Sequence, residues 1–354
     1  MCGALRRGCC VTFTDSCLLE LTEVSKIERS DSYHSDMSFL SLLLALLIEQ
    51  ARPLVRGNWV HGIVRAWVNW ISQTLDAGHP RLAWTTWSLA VGLPAVIAVV
   101  VHWVLMGIFG WPVAMIWSVA VLYVTLGFRQ FSHHFTDIRD ALDVGDERLA
   151  RELLAEWQHV EVTSLPRSEL LRHVIEHSVL SAHHHVFGVL TWFSVLAALG
   201  FGPAGAVIYR MSDMVSRAWK TQPKATKGWV SDTLQNAARE AWRRVDWLPA
   251  RMTAAAFAVV GNFEEAIDCW RTHAQRFPDD NDGVVLAATA GALNVRLGGE
   301  ALRAQDSVET QDSESTPGRT PEMAHLPSVV GLVWRSVVLW MVLLALLTLA
   351  RLLG

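Results

Sequence analysis

Residues 82–128 read LAWTTWSLAVGLPAVIAVVVHWVLMGIFGWPVAMIWSVAVLYVTLGF, a stretch without one Asp, Glu, Lys or Arg. His102 is its one ionisable side chain besides Tyr123. A single helix of that length would run about 70 Å at ~1.5 Å per residue, about twice the ~30 Å hydrocarbon core of a bilayer. Gly110-Trp111-Pro112 sits near the middle, and glycine with proline interrupts helices. The stretch therefore predicts two spanning helices, 83–109 and 112–128, joined by a tight turn, with Pro94 kinking the first. The fold class that follows is all-α: a polytopic helical membrane protein.

Upstream, Val60, Ile63, Val64, Trp67, Trp70 and Ile71 recur at helical spacing, so 59–75 reads as an amphipathic helix. Two placements are open to it, flat on the membrane surface or packed against another helix of the chain. Phe39–Ile48 is apolar but short of the ~20 residues that a crossing needs. It spans with help from its flanks or lies shallowly. Residues 1–36 are polar and irregular, and lack the apolar core of a signal peptide. They are read as a non-native or disordered extension, with translation expected to begin at Met37. Cys2, Cys9, Cys10 and Cys17 fall in that extension, leaving Cys269 alone elsewhere. Adjacent Cys9 and Cys10 fit no usual metal-ligand spacing.

Downstream the chain turns polar. Residues 135–158 read as two short amphipathic helices with Gly145 between them, and Pro166-Arg167-Ser168-Glu169 opens another that runs toward His185. Residues 186–209 are apolar again but carry Gly200, Gly202, Pro203 and Gly205. Both flanking stretches carry cationic side chains: 129–185 is rich in Arg, and 210–276 holds eleven Lys and Arg from Arg210 to Arg276. Basic loops stay in the cytosol, so one crossing at 186–209 would split them between two faces. A re-entrant hairpin turning at Gly200–Gly205 keeps both on one face, and is the expected arrangement, with amphipathic cytosolic helices around it; a simple span is the alternative. Such a hairpin needs protein cover or a wet cavity at membrane depth, which makes it a candidate site floor. Residues 231–261 read as helix broken at Pro249, and 262–299 as two short helices around Phe277–Gly283. The domain scheme is then 1–36 extension, 37–299 membrane domain, 300–327 flexible linker rich in Ser, Thr, Asp, Glu and Pro, and 328–354 a last membrane helix.

Composition agrees. Apolar residues make up 51% and charged residues 18%, against about a quarter charged in soluble domains. Tryptophan is unusually common, 17 against 3 tyrosines. Trp84, Trp87, Trp103, Trp111 and Trp117 flank apolar runs, as interfacial indoles do, though core packing explains any one of them equally. The net charge of −4 gives nucleic acid no footing. The partner that composition does indicate is the lipid bilayer.

Chemical motifs are few. No phosphate loop, GxGxxG, GxSxG or CxxC is present. His173-Val-Ile-Glu176-His177 matches an HxxEH pattern that would place His173 and His177 on one helical face around a metal, with Glu176 as base. An obvious third ligand is missing, so no metal is assigned, and a polar helix end at the membrane surface is the plainer reading. His183, His184 and His185 follow closely. Arg210, Arg251 and Arg296 each stand beside small, apolar residues. Buried guanidinium needs an anion: a carboxylate such as Asp213 or Asp246, or a bound phosphate or carboxylate ligand. The sequence assigns no cofactor.

Four blocks in order carry a likeness: Ala141-Leu142-Asp143-Val144-Gly145-Asp146 with Ala150-Arg151; Gly202-Pro203-Ala204-Gly205-Ala206 with Tyr209-Arg210; Asp246-Trp247-Leu248-Pro249-Ala250-Arg251-Met252-Thr253-Ala254; and Ala290-Gly291-Ala292-Leu293-Asn294-Val295-Arg296-Leu297-Gly298-Gly299. With them the chain resembles the CobD/CbiB family of cobalamin-biosynthesis membrane proteins, the adenosylcobinamide-phosphate synthases, and their relative AmpE. The resemblance covers roughly 37–300. It implies a bacterial inner-membrane, multi-pass protein that forms an amide between a corrinoid carboxylate and an aminopropanol-type amine. It also implies that Arg210, Asp213, Asp246, Arg251 and Arg296 bind an anionic corrinoid or a phosphate-bearing small molecule, with Glu176 the candidate catalytic group. Where the synthases usually carry Glu-Asn…Asp-Gly, this chain has Glu176-His177-Ser178-Val179-Leu180-Ser181; after Tyr209-Arg210 it has Asp213-Met214 and Ser216-Arg217. The AmpE-like branch departs in similar places, and implies the alternative of a non-catalytic membrane regulator.

Overall fold

The computed structural model describes residues 39–49, 59–76, 78–126, 128–158, 165–220, 230–299 and 314–353. The expected extension 1–36, with its four cysteines, lies outside them. The described chain is helical: α1 (Phe39–Glu49), α2 (Trp59–Leu75), α3 (Pro80–Phe109), α4 (Trp111–Thr125), α5 (Phe128–Val144), α6 (Glu147–Gln158), α7 (Arg167–Ala182), a π turn (His183–Phe187), α8 (Gly188–Ala198), α9 (Ala204–Lys220), α10 (Asp232–Val260), α11 (Phe263–His273), α12 (Asp280–Leu293) and α13 (His325–Leu353).

Three helical stretches are long and apolar enough to cross a membrane: Pro80–Phe109, Arg167–Ala198 and His325–Ala350. The first and last are buried over only 28% and 33% of their most apolar windows, against 61% for the second. Thus α3 and α13 leave wide apolar faces for lipid, while the α7–α8 rod is walled in by protein. The tight turn expected after Phe109 forms at Gly110, whose φ of 79° is a conformation only glycine adopts freely. Trp111 and Pro112 then open α4, which returns along α3. There the indole of Trp117 donates to the Ala98 carbonyl at 3.3 Å, and Ser118 Oγ lies 3.5 Å from His102 Nδ1.

Residues 188–220 fold back on themselves. Gly200 (φ 83°) and Gly202 (φ 55°) turn the chain, and α9 packs antiparallel on α8. The approach is close because glycine allows it: a Cβ on Gly205 would strike the Trp192 carbonyl, and one on Gly188 the Tyr209 ring. At the tip, a Cβ on Gly202 would lie 2.6 Å from the His102 ring. The chain therefore turns back at Gly200–Gly205 as a helical hairpin.

Pro249 does not break its helix. α10 runs through it, as α3 runs through Pro94. Proline lacks the amide that would bond the carbonyl four residues earlier. For Pro249 that carbonyl belongs to Val245, and Trp192 Nε1 donates to it at 2.9 Å. For Pro94 it belongs to Ala90, and Trp67 Nε1 donates to it at 3.2 Å. An indole from a neighbouring helix replaces the missing donor in each case.

α2 occupies the bounds expected for it and packs on its own chain: Val68 and Ile71 are buried in one cluster with Ala83, Ala90 and Trp219. α10 is the central strut, touching α3, α8, α9, α11, α12 and α13. Its start is fixed by Asp76, which accepts from Ser231 N and Ser231 Oγ at 2.6 Å each. Inside the stretch expected as a linker, residues 314–319 pair with the segment after α12: Arg296 N donates to Arg319 O at 2.8 Å and Thr316 N to Leu297 O at 2.7 Å.

Candidate functional site

The π turn is the local feature from which the site grows. One wider turn at His183–Phe187 re-aims the side chains that follow α7, and such bulges recur at functional sites. It places His183 and His184 against α9, α10 and the start of α12.

His183 is fully buried and clamped by two residues on one face of α10. Its Nε2 lies 3.0 Å from Asp246 Oδ1, and its Nδ1 2.9 Å from Thr253 Oγ1. Asp246, also 0% exposed, accepts a second bond at Oδ1 from the Tyr209 hydroxyl at 2.7 Å. Its Oδ2 is buried and has no hydrogen-bond partner. A carboxylate sealed from water in this way is costly unless all its lone pairs are used.

His184 sits 4.9 Å from His183, ring centre to ring centre, under the edge of Trp242. Its Nε2 lies 3.1 Å from Asp282 Oδ1. Arg217 donates to the other ring nitrogen, so Nε2 carries the N–H and Asp282 is its carboxylate partner. Asp282 is there because Asp279 caps α12, accepting from Asn281 N at 3.0 Å and Asp282 N at 3.4 Å; Asp at an N-cap satisfies amides that the helix cannot.

The outer part of the site is an ion network on α9. Asp213 bonds Arg210 Nη1 at 3.0 Å and Arg217 Nε one turn later, and Arg217 Nη2 reaches His184 Nδ1 at 3.3 Å. Burial alone would raise the Asp213 carboxyl, but the Arg217 and Arg210 guanidiniums outweigh it and hold it well below the usual carboxylate range. Arg251 lies at the rim, stacked over the Trp247 ring at 4.4 Å and donating to Asn281 Oδ1 at 3.1 Å.

Four of the expected binding residues, Arg210, Asp213, Asp246 and Arg251, thus gather around one spot. Two expected residues do not. Arg296 is exposed, and its described bond is a backbone one to Arg319. Its small-residue neighbours, which suggested a buried cation, serve instead to let α12 approach α11: a Cβ on Gly291 would strike Glu265 O. Glu176 accepts from Gly298 N at 2.7 Å and from Arg172 Nη1 at 3.1 Å, so it ties α7 to the loop after α12 and stands apart from the cluster.

The HxxEH pair does not form a metal grip. His173 spends its nitrogens on Glu176, 3.5 Å away, and Arg172, 3.0 Å away. His177 meets the Trp157 ring edge-on at 4.4 Å. Sequence reasoning passed over His183, His184, Tyr209, Arg217, Thr253 and Asp282 as one site. The run of three histidines was the available signal, but its partners lie tens of residues away on α9, α10 and α12.

Comparisons with known proteins agree on one family. A family model described as CobD/Cbib protein matches residues 40–333. A Chromobacterium violaceum protein named Cobalamin biosynthesis protein CobD is 33% identical over 227 residues, spanning 63% of this chain and 67% of its own. A Stutzerimonas stutzeri protein of the same name is 30% identical over 315 residues, 86% of this chain and 96% of its own. One from Mycobacterium tuberculosis is 28% identical over 228 residues, 62% and 67% of the two chains. No solved structure matches this chain.

Proposed function

Because this chain belongs to the CobD/CbiB family, we propose that it is a cobalamin-biosynthesis membrane protein that forms an amide between a corrinoid carboxylate and an aminopropanol-type amine. The observation that carries this reading is the convergence of separate family blocks on one polar cluster. Tyr209-Arg210 comes from the second block and Asp246, Arg251 and Thr253 from the third, and they meet around the π turn. The first block forms the α5–α6 turn at Gly145 instead.

Amide formation needs a nucleoside triphosphate to phosphorylate the carboxylate, so that phosphate leaves as the C–N bond forms, and it asks two further things of the site. The carboxylate and any phosphate must be held against their own charge, and the amine must lose a proton. Arg217 and Arg251 supply the cationic side, with guanidinium suited to paired oxygens. Asp282, the more open carboxylate, suits the amine and its departing proton. Asp213 and Tyr209 act as positioning residues. Glu176 sets the loop at Gly298 and is not given the chemistry.

In the same reading the protein lies in the bacterial inner membrane and crosses it more than once. The α8–α9 hairpin enters from the cytosolic face, which keeps Arg210 and Arg217 with the basic residues of α10. The non-catalytic regulator is not favoured, since the relatives above carry the biosynthetic name.

Detergent-purified protein supplied with adenosylcobyric acid, an aminopropanol or its phosphate ester, and a nucleoside triphosphate should yield a cobinamide product, read by chromatography. Deleting the gene should make growth depend on added cobinamide. Normal cobalamin-dependent growth of the deletion strain would remove this reading.

A further inference from the structure

Outside the paired network on α9, the inner part of the cluster holds one carboxylate oxygen with nothing to bond: Asp246 Oδ2 is sealed from solvent and lacks a hydrogen-bond partner. Buried polar atoms are nearly always paired, so a bare electron-pair donor beside two histidines points to a ligand that accepts electron pairs.

The geometry suits an ion. Among the described residues, His183, His184 and Asp246 are the group of His, Cys, Asp or Glu whose ligand atoms all fall within 4.8 Å of one another. Bonds of ~2.0–2.2 Å to a tetrahedral ion place donors about 3.4 Å apart, a small inward adjustment. Asp282 Oδ1, 3.1 Å from His184 Nε2, stands outside that group and adds a negative charge beside it. The outer contacts are those that orient metal ligands: Thr253 on the far nitrogen of His183, and the Tyr209 hydroxyl on Asp246.

We propose that His183, His184 and Asp246 bind one divalent transition-metal ion of the zinc class, with water in the fourth position. Two neutral imidazoles and the Asp246 carboxylate hold the ion, and the Asp282 carboxylate beside His184 offsets its remaining charge. Imidazole nitrogen favours zinc, copper, iron or nickel over magnesium, calcium and manganese, which prefer oxygen ligands. On binding, the His183 Nε2 proton now shared with Asp246 leaves to solvent. The His184 proton then resides on Nδ1, so the 3.3 Å contact to Arg217 is given up and Arg217 keeps Asp213. The site is distinct from the His173–His177 pair, and it stands whether or not the protein forms amides.

Purified full-length protein in detergent, stripped with a chelator, is titrated with Zn2+ and with Co2+. The expected result is one ion per chain and the intense visible absorption of tetrahedral cobalt. His184→Gln and Asp246→Asn should each weaken binding at least about tenfold, while His173→Gln leaves it unchanged. Chromatographic elution and melting temperature check folding; should His184→Gln fail to fold, Asp246→Asn alone decides. No binding by the unmodified chain would mean that ordered water fills the gap, and would overturn the proposal. So would binding that survives the cluster variants or is lost in His173→Gln.

Discussion

Trp192 donates its indole N–H to the carbonyl of Val245, one helix away, at 2.9 Å, the carbonyl that Pro249 leaves without an amide. The same relation joins Trp67 to Ala90 below Pro94. Tryptophan is abundant here partly because it can reach across a helix pair and donate in an apolar setting. Others, such as Trp103 and Trp111, stay about half exposed.

Replacing Trp192 by Phe keeps most of the packing but leaves the Val245 carbonyl bare, a loss of about 1–3 kcal/mol. In a Pro249→Ala background the helix supplies its own donor, so Trp192→Phe should cost less by roughly 1 kcal/mol. A double-mutant cycle on denaturant unfolding in detergent measures the difference. Additive effects would mean that the bond contributes nothing.

Gly205→Ala should push α8 and α9 apart, because the new methyl meets the Trp192 carbonyl. Backbone cannot yield as a flexible side chain does, so the loss should be about 1–3 kcal/mol or more. Gly92→Ala is the control: nothing lies within 4 Å of its Cβ position, and a mid-helix alanine gains about 0.5–1 kcal/mol. Thermal melts of the two variants should move in opposite directions.

Asp213 gives the ion network its pH dependence. Its folded carboxyl is held below the usual range by Arg217 and Arg210. Stability from this pairing is therefore fully present above the unfolded carboxylate value, about 4, and is lost as pH falls through the lower folded value. Melting measured from pH 7 downward should fall below about pH 4, and Asp213→Asn should remove this part of the fall. At pH 7 that variant should lose about 3 kcal/mol, the low end for a broken buried pair, since Arg217 is half exposed.

Arg217→Ala should raise KM for the anionic substrate about tenfold or more, the equivalent of ~1.5–3 kcal/mol for a hydrogen bond to a charged group. Glu176→Gln should leave amide formation within about threefold, because Glu176 touches Gly298 and Arg172 and no member of the cluster. A collapse of turnover in Glu176→Gln, with folding intact, would return the chemistry to the family's usual acidic position.

By itself the sequence determined the elements. Forty-seven residues without Asp, Glu, Lys or Arg have no stable place in water, and the glycines at 110, 145, 200 and 202 mark turns at positive φ. The hairpin, the bounds of α2 and the α5–α6 pair were legible because apolar periodicity and backbone freedom are local properties. Only the tertiary structure decided which polar groups meet. Arg210 and Arg296 look alike along the chain, each beside small residues, yet one is clasped by Asp213 and the other faces solvent. Pro249 reads as a break until a tryptophan from another helix fills its gap. Partners of this kind lie dozens of residues apart, and a long-range contact leaves no periodic trace in the residues that make it.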